Sequence, residues 1–213
     1  MTKRQFLLSG LLVWVALLAT GCGYNTLQSK QQNVRAKYSN IETQLQRRAD
    51  LIPNAFQAAR AAGFQEQAVF GQIADARSRL LNTINQAPQG EGGDKSPEQK
   101  QAVFDAANSF GGTIGRLLSL QEAYPNLRSN ENFLRLQDEI SGTENRIATY
   151  RQDYNTAVQD YNTTRGSFPT VLFAKMYGFR EEPYFQADPT SRQAPSINAD
   201  SMRPNSQGTS TAR

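Results

Sequence analysis

The chain has 213 residues, with 23 Lys+Arg against 19 Asp+Glu, no histidine and one cysteine, Cys22. A net charge of +4 is too small to argue for nucleic acid. The missing histidine removes His-based acid–base pairs, Ser-His-Asp and Cys-His nucleophiles and His-ligated zinc, and a lone cysteine excludes an internal disulfide or a cysteine metal cluster, so no cofactor or metal is expected.

Lys3 and Arg4 precede an apolar run from Phe6 to Leu18, interrupted only by Ser9 and Gly10. The run is shorter than the roughly 20 residues of a spanning helix and fits the apolar region of a signal peptide. It ends in Leu18-Ala19-Thr20-Gly21-Cys22, which resembles the bacterial lipobox. There, lipid is attached to the cysteine sulfur and cleavage leaves that cysteine as the new N-terminus. The usual pattern has Leu three residues before the cysteine, a place held here by Ala19. The alternative is an uncleaved anchor helix. Gly23 follows in place of the Asp that retains enteric lipoproteins in the inner membrane. Residues 1–21 are therefore read as a lipoprotein signal peptide. The rest is expected outside the cytoplasm, held through lipidated Cys22 on the cell membrane or the outer membrane. Without the leader, 21 basic residues face 19 acidic ones.

From Tyr24 to Ala62, Leu27, Gln31, Val34, Tyr38, Ile41, Leu45, Arg48, Ile52, Phe56 and Ala59 recur at the three/four spacing of a helix with one buried stripe. Pro53 removes a backbone donor, so a kink or short break is expected near Asp50. A turn at Gly63 leads to a second helix, Phe64 to Asn85, with Val69, Ile73, Ala76, Leu80 and Ile84 on one face. Gly90 to Lys95 reads as a flexible linker, because no strand precedes its glycines and no G-K-[S/T] closes them. Ser96-Pro97-Glu98-Gln99 combines an N-cap, a first-turn proline and a capping-box glutamine. The third helix runs to about Ala123 over Val103, Ala107, Phe110, Ile114, Leu117 and Leu118, and Pro125 ends it.

Ser129 or Asn130 caps the fourth helix, Asn130 to Arg165. Its stripe is Phe133, Leu136, Ile140, Thr143, Ile147, Tyr150, Tyr154, Val158 and Tyr161. At 1.5 Å per residue it spans roughly 54 Å and needs partners along its whole length. Beyond Gly166 comes a densely apolar segment, 168–185. In an up-and-down arrangement it lies at the membrane end, either plugging the open end with Phe168, Leu172 and Phe179 or inserting into the bilayer interface. Residues 187–213 are Pro-, Ser- and Asn-rich and are expected to be disordered. The predicted fold is all-α, an antiparallel up-and-down four-helix bundle over 22–186 with long first and fourth helices.

Gln46-Arg47-Arg48-Ala49-Asp50-Leu51-Ile52-Pro53-Asn54 resembles the R-R-x-D-L-I-P-N pattern of the LemA family. So do Tyr24-Asn25, Tyr124-Pro125-Asn126-Leu127, Asn132-Phe133, Leu136-Gln137, Thr143-Glu144-Asn145-Arg146-Ile147-Ala148, Tyr154-Asn155, Tyr161-Asn162, Phe168-Pro169 and Gly178-Phe179. Tyr38 stands where the family commonly has tryptophan, and the helix after Pro53 is richer in alanine than in many members. The resemblance implies a membrane-tethered helical bundle outside the cytoplasm and no known reaction. It hints at partnership with other membrane proteins, including metallopeptidases.

The functional expectation is a non-enzymatic envelope lipoprotein, a scaffold or partner-binding module at the membrane surface. The alternatives are a carboxylate-dependent hydrolase, using Asp50 with Glu144 or Asp138 with Glu139, an accessory subunit of a membrane peptidase, and a ligand-binding bundle. Antiparallel packing of the first and fourth helices aligns Ile52 with Ile140, Leu45 with Ile147, Tyr38 with Tyr154 and Val34 with Val158. It also aligns Arg48 with Glu144, which predicts an ion pair there that fixes the register.

Overall fold

A computed structural model of the chain describes residues 3–64, 66–90, 93–119, 124 and 129–186, with side chains from residue 23 onward. The expected disordered tail and Pro125 lie outside the described residues. The described residues are all-α, with five helices: α1 (Lys3–Ala61), α2 (Gln67–Asn85), α3 (Pro97–Ser119), α4 (Glu131–Gly166) and α5 (Thr170–Met176).

The first helix differs from expectation in where it starts and in its course past Pro53. It is one unbroken helix of 59 residues, so the apolar run of the leader and the core stripe are successive stretches of the same element. It also passes Pro53 without a break. Proline at 53 deprives the Ala49 carbonyl of its helical donor. The Arg77 side chain of α2 fills that vacancy, donating from Nε to the Ala49 oxygen at 2.7 Å. Asp50, the expected site of the break, lies within the continuous helix, accepts from Gln46 at 3.2 Å and lies 3.7 Å from Arg77. The helix ends in a Schellman turn: Phe64 N–H donates to Ala59 O, Gly63 N–H donates to Arg60 O, and Gly63 has φ +86°.

The stripe of α1 packs against that of α4. Leu27, Val34, Tyr38, Ile41, Leu45 and Ile52 are buried on one side, and Phe133, Ile140, Ile147, Tyr154, Val158 and Tyr161 on the other. The direction is antiparallel, because Lys30 pairs with Asp160, Lys37 with Asp153 and Arg48 with Glu144. Asn130 caps α4, accepting from Phe133 N–H at 3.1 Å. Helices α2 and α3 pack on each other, and Phe56 meets Phe70 edge to face to place α2 against the later part of α1. From residue 23 onward, no helix of the described residues is long and apolar enough to cross a membrane.

The segment after α4 divides in two. Short α5 packs on α1 and α4; the Phe173 ring approaches Gly23 so closely that a Cβ there would lie 2.8 Å from it. After the turn at Gly178, residues 179–186 run back along α4 as an irregular strap, with Phe179 and Phe185 buried. Phe168 and Leu172, which on the first of the two readings would plug the bundle together with Phe179, are exposed.

Candidate functional site

The strap is fastened by repeated side-chain pairs on α4. The Asn155 amide accepts from Phe185 N–H at 2.8 Å and donates to Phe185 O at 3.0 Å. Asn162 does the same for Glu182, at 3.1 and 2.9 Å. The preceding tyrosines also bond the strap: Tyr154 donates to Pro183 O and Tyr161 to Arg180 O, each at 2.8 Å. Seven helical residues rise about 10.5 Å, while three extended residues advance about 10 Å. Two Tyr-Asn pairs one heptad apart therefore match backbone groups three residues apart on an antiparallel strap. This gives the Tyr154-Asn155 and Tyr161-Asn162 motifs a physical role.

The strap carries Glu182 into the core. Its carboxylate accepts from Lys100 Nζ at 2.9 and 3.0 Å, and Asp94 accepts from the same ammonium at 2.8 Å. Lys100 is fully buried and stands 5.5 Å from the centre of the Tyr38 ring. Arg35 lies 3.4 Å from Asp94, and Lys95 lies 3.6 Å from Glu42. Lys95 also donates to Ile84 O and Gln86 O at the end of α2. Burial pushes the Glu182 carboxyl above the ordinary carboxylate range, opposed by Lys100. Burial likewise raises Glu42, opposed by Lys95, and raises the Tyr38 and Tyr154 hydroxyls. Each cation here meets a carboxylate, so the cluster acts as a clamp joining α1, α3 and the strap.

The part of the predicted linker that is described belongs to this clamp. Gly90 N–H donates to Asp94 O at 2.8 Å, and Gln89 N–H donates to Gln99 Oε1 at 2.9 Å. Gln99 also completes the expected capping box, accepting from Ser96 N–H at 3.0 Å while its own N–H donates to Ser96 Oγ at 3.3 Å. Sequence reasoning missed Lys100, Asp94 and Glu182. One signal was present: Lys100 lies three residues before Val103 and seven before Ala107, in register with the buried stripe of α3.

The predicted partners Arg48 and Glu144 meet. Arg48 Nη1 is 2.5 Å from Glu144 Oε2, with the arginine side chain 7% exposed and the glutamate 50%. The guanidinium stands 5.8 Å from the centre of the Phe110 ring, and its buried Nε has no hydrogen-bond partner. Burial lowers the Arg48 pKa and Glu144 opposes the shift. Gly111 supplies no side chain beside the guanidinium. A groove of about 320 Å³ opens there, lined by Gly111, Ile114, Gly115, Ile140 and Ser141 among others.

The remaining signature residues are dispersed. Arg47, Pro53, Asn54, Asn145 and Arg146 are exposed, and Arg146 donates to Gln44 at 3.3 Å. The backbone at Cys22 belongs to α1, and its side chain lies outside the described residues. Of the carboxylates weighed for hydrolysis, Asp50 lies beside Arg77, Glu144 is bonded to Arg48, and Asp138 and Glu139 are exposed. Among the described residues no group of three His, Cys, Asp or Glu is placed to hold a metal.

Comparison with known proteins follows the same stretch of chain. The LemA family model matches residues 37–198. Magnetosome proteins MamQ 1 and MamQ 2 of Paramagnetospirillum magneticum are each 29% identical over 178 residues. Magnetosome protein MamQ of Magnetospirillum gryphiswaldense is 25% identical over 178 residues. Each match covers 78% of this chain and 65% of the relative's length.

Proposed function

Because this chain belongs to the LemA family, we propose that it is a non-enzymatic, membrane-tethered helical scaffold that holds an envelope protein partner at the bilayer surface. The observation that carries this reading is α1, which continues without a break from Cys22, the proposed lipid attachment point, into the packed core. A tether built this way fixes the height of the bundle above the membrane, where a flexible linker would leave it loose. Lipidation of Cys22 is part of the proposal, as is an antiparallel up-and-down arrangement of α1 to α4.

The partner face is the groove beside Arg48, where Gly111 and Gly115 leave room for a helix to approach closely. A photo-crosslinking residue at exposed Ser141, in native membranes, is expected to capture one protein that the same residue at exposed Asp75 on α2 does not. Gly115→Leu, which fills open space, abolishes that capture. Equal capture at both positions, or capture indifferent to Gly115→Leu, refutes the groove. Labelling cells with a tagged fatty acid tests the anchor: equal label in wild type and Cys22→Ser rejects lipidation.

A further inference from the structure

Most of the exposed large apolar side chains gather at one end of the molecule. Phe168 is 82% exposed, Met176 64%, Leu172 57%, Tyr177 48% and Tyr24 38%. Leu172 and Met176 lie one helical turn apart on the outer face of α5, and Phe168 precedes them by another four residues. A monomer in water rarely leaves such a set uncovered.

The position of the set identifies what covers it. Phe173 packs on Gly23, and Tyr24 meets Tyr177 at 5.0 Å and Phe179 at 5.7 Å. Helix α5 is therefore level with the point where α1 leaves the apolar run, which ends at Leu18, about 7.5 Å away at 1.5 Å per residue. Whether the anchor is the run itself or lipid on Cys22, residue 23 stands at the bilayer surface. Exposed Lys175 projects from the same short helix, a suitable residue to reach the headgroups while its neighbours enter the acyl boundary, and Tyr24 and Tyr177 suit the interface through their polar tips. Leu134, another exposed apolar residue, lies near the opposite end of α4.

We infer that α5 is a second membrane contact, whose Phe168, Leu172 and Met176 enter the lipid interface and brace the bundle against the bilayer. This rests on the tether proposed above. The test uses the full chain carrying Trp14→Phe, reconstituted in vesicles of phosphatidylethanolamine and phosphatidylglycerol with brominated acyl chains. Flotation with the vesicles reports the tether, and quenching of a tryptophan at position 168 reports the contact. The expected result is flotation together with a blue shift and loss of emission for Phe168→Trp, and unquenched emission for Leu134→Trp. Flotation with an unquenched Phe168→Trp probe overturns the contact and leaves the tether standing. A probe that is blue-shifted yet unquenched, with the protein dimeric by mass, also overturns it, since a second copy then covers the face. Failure to float overturns tether and contact together. Phe168→Trp replaces a side chain that is almost wholly exposed, so the fold should not suffer.

Discussion

Replacing Lys100 by methionine tests the clamp most directly. The ammonium is fully buried, Glu182 is 5% exposed and Asp94 11%. Methionine keeps the apolar stem and deletes the charge, leaving two carboxylates facing each other with Arg35, which pairs with Asp94 and lies within electrostatic reach of Glu182, as the remaining compensation. Removing one member of a buried ion pair costs roughly 3–5 kcal/mol, because the partner stays buried without compensation. That is a large share of a typical stability of about 5–15 kcal/mol. Removing Glu182 as well, by Glu182→Leu, takes away the stranded charge, and the double variant should recover most of the loss. Urea denaturation of the full chain in nonionic detergent, followed by helical circular dichroism, gives the four free energies. Hydrogen exchange adds a local reading: the Glu182 and Phe185 amides, held by Asn162 and Asn155, should exchange faster in Lys100→Met. Additive single-variant costs, or unchanged exchange at both amides, would refute the clamp.

Three further outcomes are expected. In a double-mutant cycle with Arg48→Met and Glu144→Leu, the coupling should be about 1 kcal/mol, since the half-exposed glutamate is screened by solvent; additivity would remove the pair as a register device. Arg77→Met should cost about 1–3 kcal/mol by stranding the Ala49 carbonyl. In a Pro53→Ala background the helical donor returns and the cost should shrink, so an equal cost in both backgrounds contradicts the account. Glu182, raised by burial, binds its proton more readily folded than unfolded, so its contribution to stability grows as the pH falls from neutral toward its ordinary value of 4.5. Wild type should therefore gain on Glu182→Gln between pH 7 and pH 5 in urea midpoints, and a loss of ground would reverse the sign argued here.

The parts of the fold legible in the sequence were those governed by local rules. The stripes of α1 and α4, the capping box at Ser96, the Asn130 cap and the turn at Gly63 each follow from periodicity or from one residue's backbone chemistry. Pro53 misled because a local rule was overridden from a distance. The donor it removes is replaced by Arg77, 28 residues away along the chain, and nothing near Pro53 announces that. The clamp was illegible for a similar reason: Asp94, Lys100 and Glu182 come from a loop, a helix and a strap, and glycine-rich sequence around Asp94 looks like a linker until its partners are present. Tyr154-Asn155 and Tyr161-Asn162 were visible as motifs, yet their purpose depends on a strap whose sequence has no helical or alternating pattern.

The strap also explains why α5 exposes apolar surface instead of rolling to bury it. The segment is held at both ends and in the middle. At one end it follows directly from α4; in the middle Ala174 is buried and Phe173 lies on Gly23. At the other end Phe179 N–H donates to Ala174 O, and Phe179 O accepts from Arg165 at 3.0 Å. The Tyr-Asn pairs then hold residues 180, 182, 183 and 185 in one register, and Glu182 locks that register by reaching Lys100. Rolling α5 inward would break this series or drag a buried carboxylate from its ammonium. The exposed face is therefore a consequence of interactions stronger than the hydrophobic gain from covering Leu172 and Met176, each worth roughly 1.5–3 kcal/mol when fully buried. An apolar surface held out by the core, beside the end of the anchor, has a fixed direction, and that direction is what a brace against the membrane requires.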